Sequence, residues 1–336
     1  GNYLRYKQMK IIIIGGVAGG ATTAARIRRV DETAEIVLLE KGKYISYANC
    51  GLPYYIGGVI EERDKLFVQT PEAFSTRFRV DVRTENEVIF IDRKRKTVTV
   101  RQSSEDTYEE SYDKLVISTG ASPVRPPLPG IDLSGIFTLR NVTDTDRIKE
   151  YIKSHAPRKA VVVGAGFIGL EMAENLHAQG AKVSIVEMGN QVMAPIDFSM
   201  ASLVHQHLMD KGVNLYLEQA VASFSRDGRG LKVTFKNGQS ISADIVILSI
   251  GVRPETNLAR AAEQPSGTYR CGQCPRSKDS LRRLYWYFNR KGFRHDRCFN
   301  RLTRQASASG RDRLYVVYHS SRFPCRLLSG CYADEH

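Results

Sequence analysis

Two stretches of this chain, 149 residues apart at their first glycines, repeat one pattern, and that duplication limits the fold more than any other feature. The first runs Lys10-Ile-Ile-Ile-Ile-Gly15-Gly16-Val17-Ala18-Gly19-Gly20, continues as a helix from Thr22 to Val30, and returns as a strand, Ile36 to Leu39, ending in Glu40. The second runs Ala160-Val-Val-Val163-Gly164-Ala165-Gly166-Phe167-Ile168-Gly169, then a helix from Leu170 to Gln179, a Gly180 stop, and a strand from Lys182 to Val186 ending in Glu187. A continuous apolar run is what a parallel strand buried on both faces requires. Glycines directly after it permit a tight turn into a helix whose N-terminus receives a pyrophosphate. The acid closing the next strand stands where a carboxylate accepts from ribose hydroxyls.

Strand, glycine turn, helix, strand and terminal acid in this order predict an α/β chain with two Rossmann-like dinucleotide-binding domains. The second copy is complete, whereas Val17 replaces the middle glycine in the first. Expected cofactor contacts are Gly15, Gly16, Val17, Ala18, Gly19, Gly20, Glu40 and Lys41 in the first domain. In the second they are Gly164, Gly166, Phe167, Ile168, Gly169 and Glu187. Glu187 should accept from both ribose hydroxyls and repel a 2′-phosphate, so NADH is favoured over NADPH there.

The expected boundaries are an N-terminal extension at 1–9, a first nucleotide domain at 10–125, a second at 126–262 and a tail at 263–336. Between the repeats, Phe67 to Phe78 reads as helix or loop, Glu87 to Ile91 with Thr97 to Arg101 as a hairpin, and Tyr112 to Ala121 as a strand entering a glycine turn at Thr119-Gly120. The charged run Asp92-Arg93-Lys94-Arg95-Lys96 is a solvated hairpin turn, and Pro123 to Gly130, with four prolines, is a connection. Leu231 to Phe235 and Ser240 to Ile250 give a further hairpin and a last strand running into Gly251-Val-Arg253-Pro254. At 42% hydrophobic and 25% charged the chain is a globular one. The run Ile11 to Ile14 is far too short for a membrane span and no signal-peptide pattern precedes it, so the expected location is the cytoplasm.

Between the first repeat and the first hairpin lies Ser46-Tyr47-Ala48-Asn49-Cys50-Gly51-Leu52-Pro53-Tyr54-Tyr55-Ile56-Gly57-Gly58. Its cysteine is the only one in residues 1–264, which suits a reducing compartment. Pro53 fits the first turn of a helix starting near Cys50, and exposed N–H groups at such a start favour a thiolate. An isolated cysteine is more commonly an inert packing residue. Polar Ser46 and Asn49 and the surrounding glycines favour the redox reading instead.

Taken together, Gly15-Gly-Val-Ala-Gly-Gly20, Ser46-Tyr-Ala-Asn-Cys-Gly-Leu-Pro-Tyr54, Ser118-Thr-Gly-Ala-Ser-Pro123, Gly164-Ala-Gly-Phe-Ile-Gly-Leu-Glu171 and Gly251-Val-Arg-Pro254 resemble the FAD-dependent pyridine nucleotide-disulfide oxidoreductases. The similarity is closest to their coenzyme A disulfide reductase branch and covers about Lys10 to Ala262. It implies FAD on the first unit, with Thr119 and Gly120 among its contacts, NADH or NADPH on the second, with Gly251 nearby, and Cys50 as the redox-active thiol. It also implies a substrate of coenzyme A disulfide or a related persulfide, held by Thr22, Arg26, Arg29, Ser46 and Asn49, with Arg77 and Arg79 as weaker candidates. Thr22, Arg26 and Arg29 share one helix face by their spacing, and arginine suits phosphate. Read without the resemblance, Arg26, Arg28 and Arg29 are a basic solvated face. A single thiol with no second cysteine four or five positions away must use an external partner or cycle through a sulfenate, and the latter cycle makes NADH oxidase the alternative activity.

The family continues into a Tyr-Ala-x-Gly-Asp motif that returns to the flavin and a domain that forms a homodimer; this sequence contains no Gly-Asp dipeptide, so the dimerisation domain is expected to be absent. Residues 265–336 carry 15 Lys+Arg against 5 Asp+Glu, including 13 arginines, with no isoleucine, so they hold +10 of the net charge of +13. They show neither strand nor helix periodicity. A reading-frame change near Gln264 accounts for such a tail, since Lys291-Gly-Phe-Arg-His295 read one base later permits Lys-Asp-Phe-Val-Thr, similar to the missing family segment. A rival reading takes Cys271, Cys274, His295 and Cys298 as a zinc site and the arginines around Tyr285, Trp286 and Tyr287 as a nucleic-acid surface. The missing core pattern disfavours it, and no metal site is expected in residues 10–262.

Overall fold

The computed structural model describes residues 8–263 and 315–316, so the candidate zinc ligands, the aromatic triplet and the rest of the basic tail lie outside the described residues. The described chain forms two compact units. One takes in the residues up to Ile45, then Pro71–Gly120 and the residues from Glu255; the other takes in Ser46–Thr70 and Ala121–Pro254.

In chain order the first part holds β1 (Lys10–Ile14), α1 (Ala18–Val30), β2 (Glu35–Glu40), α2 (Leu52–Ile56), α3 (Pro71–Phe78) and β3 (Asp81–Thr84). Next come β4 (Asn86–Asp92), β5 (Thr97–Gln102), β6 (Thr107–Ser111), β7 (Lys114–Ile117), β8 (Ala121–Pro123) and β9 (Ile136–Thr138). The second repeat supplies α4 (Val142–His155), β10 (Lys159–Val163), α5 (Phe167–Ala178), β11 (Lys182–Val186), α6 (Phe198–Asp210) and β12 (Asn214–Tyr216). It closes with β13 (Val221–Asp227), β14 (Gly230–Phe235), β15 (Ser240–Ala243), β16 (Ile245–Leu248), β17 (Val252–Pro254) and α7 (Asn257–Glu263), after which β18 (Tyr315–Val316) follows.

In the first unit, β1 lies between β2 and β7 in a parallel sheet of order β18-β7-β1-β2-β3. The isoleucine run is explained by its two faces. Ile11 and Ile13 pack with Ala21, Ala24, Ile27 and Phe74 of α1 and α3. Ile12 and Ile14 pack with Val88, Val98 and Val100 of the antiparallel β4-β5-β6 sheet and with Ala259 and Ala262 of α7. The hairpin foreseen at 87–101 is thus two of three strands, and Arg95 in its exposed turn pairs with Glu109 of β6 (2.7 Å).

The second unit repeats the plan: β10 lies between β11 and β16 in a sheet of order β12-β11-β10-β16-β9, with the antiparallel sheet β13-β14-β15 packed on one face. The stretch Ser240 to Ile250, expected to close a hairpin and give the last strand, divides into β15 and β16 in different sheets. Asp244 makes the break, because its carboxylate accepts from the N–H groups of Arg158 and Lys159 (2.8 Å each) at the start of β10.

Candidate functional site

The first glycine turn is built from contacts that leave no room for side chains. Gly15 has φ +96°, and a Cβ on it would lie 2.1 Å from the Ser118 carbonyl oxygen. One on Gly20 would lie 1.7 Å from the Gly15 carbonyl oxygen, so α1 sits directly against the end of β1. Glu40 fixes the rim: one carboxylate oxygen accepts from Gly16 N–H and the other from Gly42 N–H, both at 2.7 Å. No side chain caps α1 and its first turn carries no acid, so Val17, Ala18 and Gly19 present a helix start suited to a pyrophosphate. Lys41 is exposed beside it. Thr119 donates its hydroxyl proton to the Glu255 carbonyl (2.7 Å), and Gly120, at φ +71°, accepts from Glu255 N–H.

The second turn has the same parts. Gly164 has φ +97° and faces the Ser249 carbonyl; Gly169 lies against the Gly164 carbonyl; Glu187 accepts from Ala165 N–H (2.7 Å) and Gly189 N–H (2.8 Å). Gly166 is exposed with no atom within 4 Å of a Cβ position, and Phe167 and Ile168 open α5 without a side-chain cap. Gly251, at φ +111°, accepts from Val124 N–H (2.9 Å). Buried His205 accepts the Val192 N–H (3.1 Å) and so holds the loop that follows Glu187, a role that nothing in its sequence position announces.

Cys50 belongs to the second unit, where it is exposed in a short 3-10 turn, Asn49–Gly51, that leads into α2. Pro53 occupies the first turn of α2, where its missing N–H costs nothing. Ser46 adopts φ +46°, unusual for a residue with a side chain, and its carbonyl accepts from Val68 N–H (2.8 Å). The Asn49 Oδ1 atom is buried with no hydrogen-bond partner among the described residues, an acceptor awaiting a donor one residue from the thiol. Burial raises the pKa of the Tyr54 phenol, and the charges of Glu171, Glu174 and Cys50 push the same way. Burial and then Glu174 likewise raise the Glu171 carboxyl.

The remaining candidates divide between the units. Thr22 and Arg29 are exposed and Arg26 half-buried, all on the face of α1 opposite Ala21, Ala24, Ala25 and Ile27. Arg28 is structural: its guanidinium donates to the carbonyls of Phe78, Asp31, Glu32 and Arg79, tying together the ends of α1 and α3. Arg77 lies over the Phe78 ring, 5.3 Å from its centroid. Among the described residues no cluster of His, Cys, Asp and Glu could hold a metal ion, and no helix is long and apolar enough to cross a membrane.

Residues 9–270, which include both glycine cradles, their paired acids and the exposed thiol, match one family model, pyridine nucleotide-disulphide oxidoreductase. The chain belongs to this family. As a member of these FAD-dependent pyridine nucleotide oxidoreductases, it is 40% identical over 255 residues to a coenzyme A disulfide reductase of Staphylococcus haemolyticus, covering 75% of this chain and 56% of the relative. It is 35% identical over 278 residues to an NADH oxidase of Methanocaldococcus jannaschii, covering 82% and 62%. The crystal structure of reduced Bacillus anthracis CoADR-RHD superposes with a TM-score of 0.74 at 52% identity, covering 77% of this chain and 46% of that one. The chain therefore spans about half the length of the relatives it matches.

Sequence reasoning did not find the residues that hold the thiol segment in place. Lys149 donates to the Tyr55 carbonyl (2.6 Å), Gln179 to the Gly57 carbonyl (2.5 Å), and Arg63 pairs twice with Asp146 (2.9 and 2.7 Å). Partners separated by 94, 122 and 83 residues leave no periodic or motif signal.

Proposed function

We propose that this chain carries the nucleotide-binding and redox-thiol part of an NAD(P)H-dependent reductase of coenzyme A disulfide or a related persulfide. The observation that carries the reading is an exposed cysteine, alone among the described residues, beside an unpartnered buried acceptor, in a chain with two glycine cradles of matching geometry. FAD fits the first cradle, held by Gly15, Gly16, Val17, Ala18, Gly19, Gly20, Glu40 and Lys41, and supplies the two-electron carrier between nicotinamide and sulfur. The nicotinamide nucleotide fits the second, at Gly164, Gly166, Phe167, Ile168, Gly169 and Glu187. The Glu187 carboxylate favours the ribose hydroxyls of NADH over a 2′-phosphate.

Cys50 Sγ, as thiolate, attacks one sulfur of the disulfide; a Cys50–S–S–CoA bond forms, the substrate S–S bond breaks, and one coenzyme A leaves as thiolate and takes a proton. Two electrons originating in NAD(P)H then cleave the mixed disulfide, releasing the second coenzyme A and restoring the thiolate. Thr22, Arg26, Arg29, Ser46 and Asn49 are the proposed contacts for the phosphate-bearing substrate. A second reading, NADH oxidase with Cys50 cycling through a sulfenate, is favoured by the similarity to the M. jannaschii protein.

The absorption spectrum of the purified chain with added FAD tests both. Flavin bands that bleach with NADH and recover under anaerobic addition of coenzyme A disulfide, in the parent but not in Cys50→Ser, support the reductase. Recovery only on admitting oxygen supports the oxidase, and a chain that retains no flavin is not an active reductase.

A further inference from the structure

The thiol precedes a helix too short to hold its own shape. α2 has five residues, and an isolated helix of that length does not persist in water. Its end is held by two donors from elements remote in sequence: the Lys149 ammonium, from α4, on Tyr55 O at 2.6 Å, a carbonyl that also accepts from Gly58 N–H (3.3 Å), and the Gln179 amide, from the end of α5, on the O of Gly57, which caps the helix, at 2.5 Å. Gly57 also lies flat against α5, where a Cβ would come within 1.9 Å of Asn175 Oδ1 and 2.7 Å of Asn175 Cβ. Asn175 cannot swing away, being 1% exposed and bonded to the Glu171 carbonyl (2.8 Å).

Lys149 is the informative member of this grip. Its ammonium lies 3.7 Å from the Tyr55 ring centroid, and among the described residues no carboxylate pairs with it. Burial lowers its pKa, so the charge is held at a cost that an apolar side chain of similar length would avoid. A cation at a helix C-terminus, on a carbonyl and an aromatic face, stabilises that end of α2. The 3-10 turn carrying Cys50 runs directly into the other end.

We propose that Lys149, supported by Gln179, is a positioning residue for Cys50, holding the thiol-bearing turn in its reactive orientation from the C-terminal end of α2. The functional sense of this assignment rests on Cys50 being the redox thiol; the test does not. The full chain and its Lys149→Met, Lys149→Arg and Gln179→Leu variants are treated with 5,5′-dithiobis(2-nitrobenzoate), and Cys50→Ser gives the background from the tail cysteines. Release of the coloured thiolate attributable to Cys50, with the mixed disulfide located by peptide mass spectrometry, reports attack by this sulfur. The reaction requires neither flavin, nicotinamide nor coenzyme A, so a chain that fails as a reductase still returns an answer.

The expected result is an exchange rate about tenfold lower in Lys149→Met, as when a loosened turn presents Sγ to the reagent only about a tenth of the time, with most of it restored in Lys149→Arg. A folded Lys149→Met whose Cys50 rate falls by less than about threefold, or that Lys149→Arg does not rescue, overturns the proposal, because a merely structural lysine moves the melting temperature and not this rate. Where Lys149→Met does not fold, Gln179→Leu decides by the same threshold.

Discussion

The two glycine turns are built alike down to single hydrogen bonds, yet only one has a glycine at its middle position. Gly15 and Gly164 have φ of +96° and +97° and donate their N–H groups to Leu39 O and Val186 O, both at 2.8 Å. Gly20 and Gly169 sit on the carbonyls of Gly15 and Gly164. At the middle position Val17 has φ −86° and Gly166 φ −76°, neither in the left-handed region that favours glycine, and the space at Gly166 is empty. The outer glycines therefore serve the fold, and the middle one serves whatever approaches the turn from outside.

The largest expected effects follow from the third glycine of each turn. Gly20→Ala and Gly169→Ala each press a Cβ into a backbone carbonyl that cannot move, so each should destabilise its own unit by about 3 kcal/mol. Urea unfolding of the two variants measures this. A loss below about 1 kcal/mol in either would show that helix and strand are not locked together at that point. The paired acids come next. Glu40→Gln and Glu187→Gln each weaken two charge-assisted hydrogen bonds to backbone N–H groups, with an expected cost of about 1–2 kcal/mol. On the proposed reading of Glu187, Glu187→Gln should in addition shift the ratio of NADH to NADPH dissociation constants toward NADPH; an unchanged ratio would remove Glu187 from nucleotide selection.

Much of this was legible in the sequence because it is local. The isoleucine and valine runs, the outer glycines and the terminal acids act within about 25 residues of one another, and the residues say directly what each must do. The middle position misleads: Val17 reads as a weakened motif, although its φ is not one reserved for glycine. What was not legible is non-local. The third strand β6, the split at Asp244, the grip of Lys149 and Gln179 on α2, and the union of Ser46–Thr70 with the second unit all depend on contacts across 80 residues or more or on exposed strands with weak alternation.

Exchanging the middle residues sharpens the comparison at lower cost. Gly166→Val should leave the stability of the second unit within about 0.5 kcal/mol, since its φ suits valine and its space is empty. If the second turn holds the nicotinamide nucleotide as proposed, NADH affinity should fall about tenfold, or 1.4 kcal/mol, because the branched side chain would block the approach of the pyrophosphate. Val17→Gly should cost about 1 kcal/mol, because glycine frees the unfolded chain and a half-buried side chain is lost. A thermal shift with a calorimetric titration of NADH separates the two effects, and a destabilised Gly166→Val would return the middle glycine to the fold.

The smallest effect concerns acid, and there the two units should part company. In the first, burial works to raise the Glu110 carboxyl, but its bonds to Lys10 (2.5 Å) and Arg83 (2.6 Å) outweigh it and hold the pKa below 4.5. The unfolded chain then binds the proton more readily, so this contribution is present above pH 4.5 and is lost as the pH falls through the depressed value. In the second unit, burial raises Asp144 above 3.8 and, with Glu174, raises Glu171 above 4.5. There the folded state binds the proton first, so stability rises as the pH drops through those raised values. Urea unfolding followed by peptide-resolved hydrogen exchange between about pH 4 and pH 7 should show the second unit firming on mild acidification while the first weakens only below 4.5, each by less than about 1 kcal/mol given the partial exposure of these groups. Glu110→Gln should abolish the acid loss, and Glu171→Gln should reduce the gain while raising neutral-pH stability. Parallel responses of the two units would refute this assignment, and would mean that the carboxylates titrate alike although one is bonded to two cations and the others are dominated by burial, Glu171 beside a second acid.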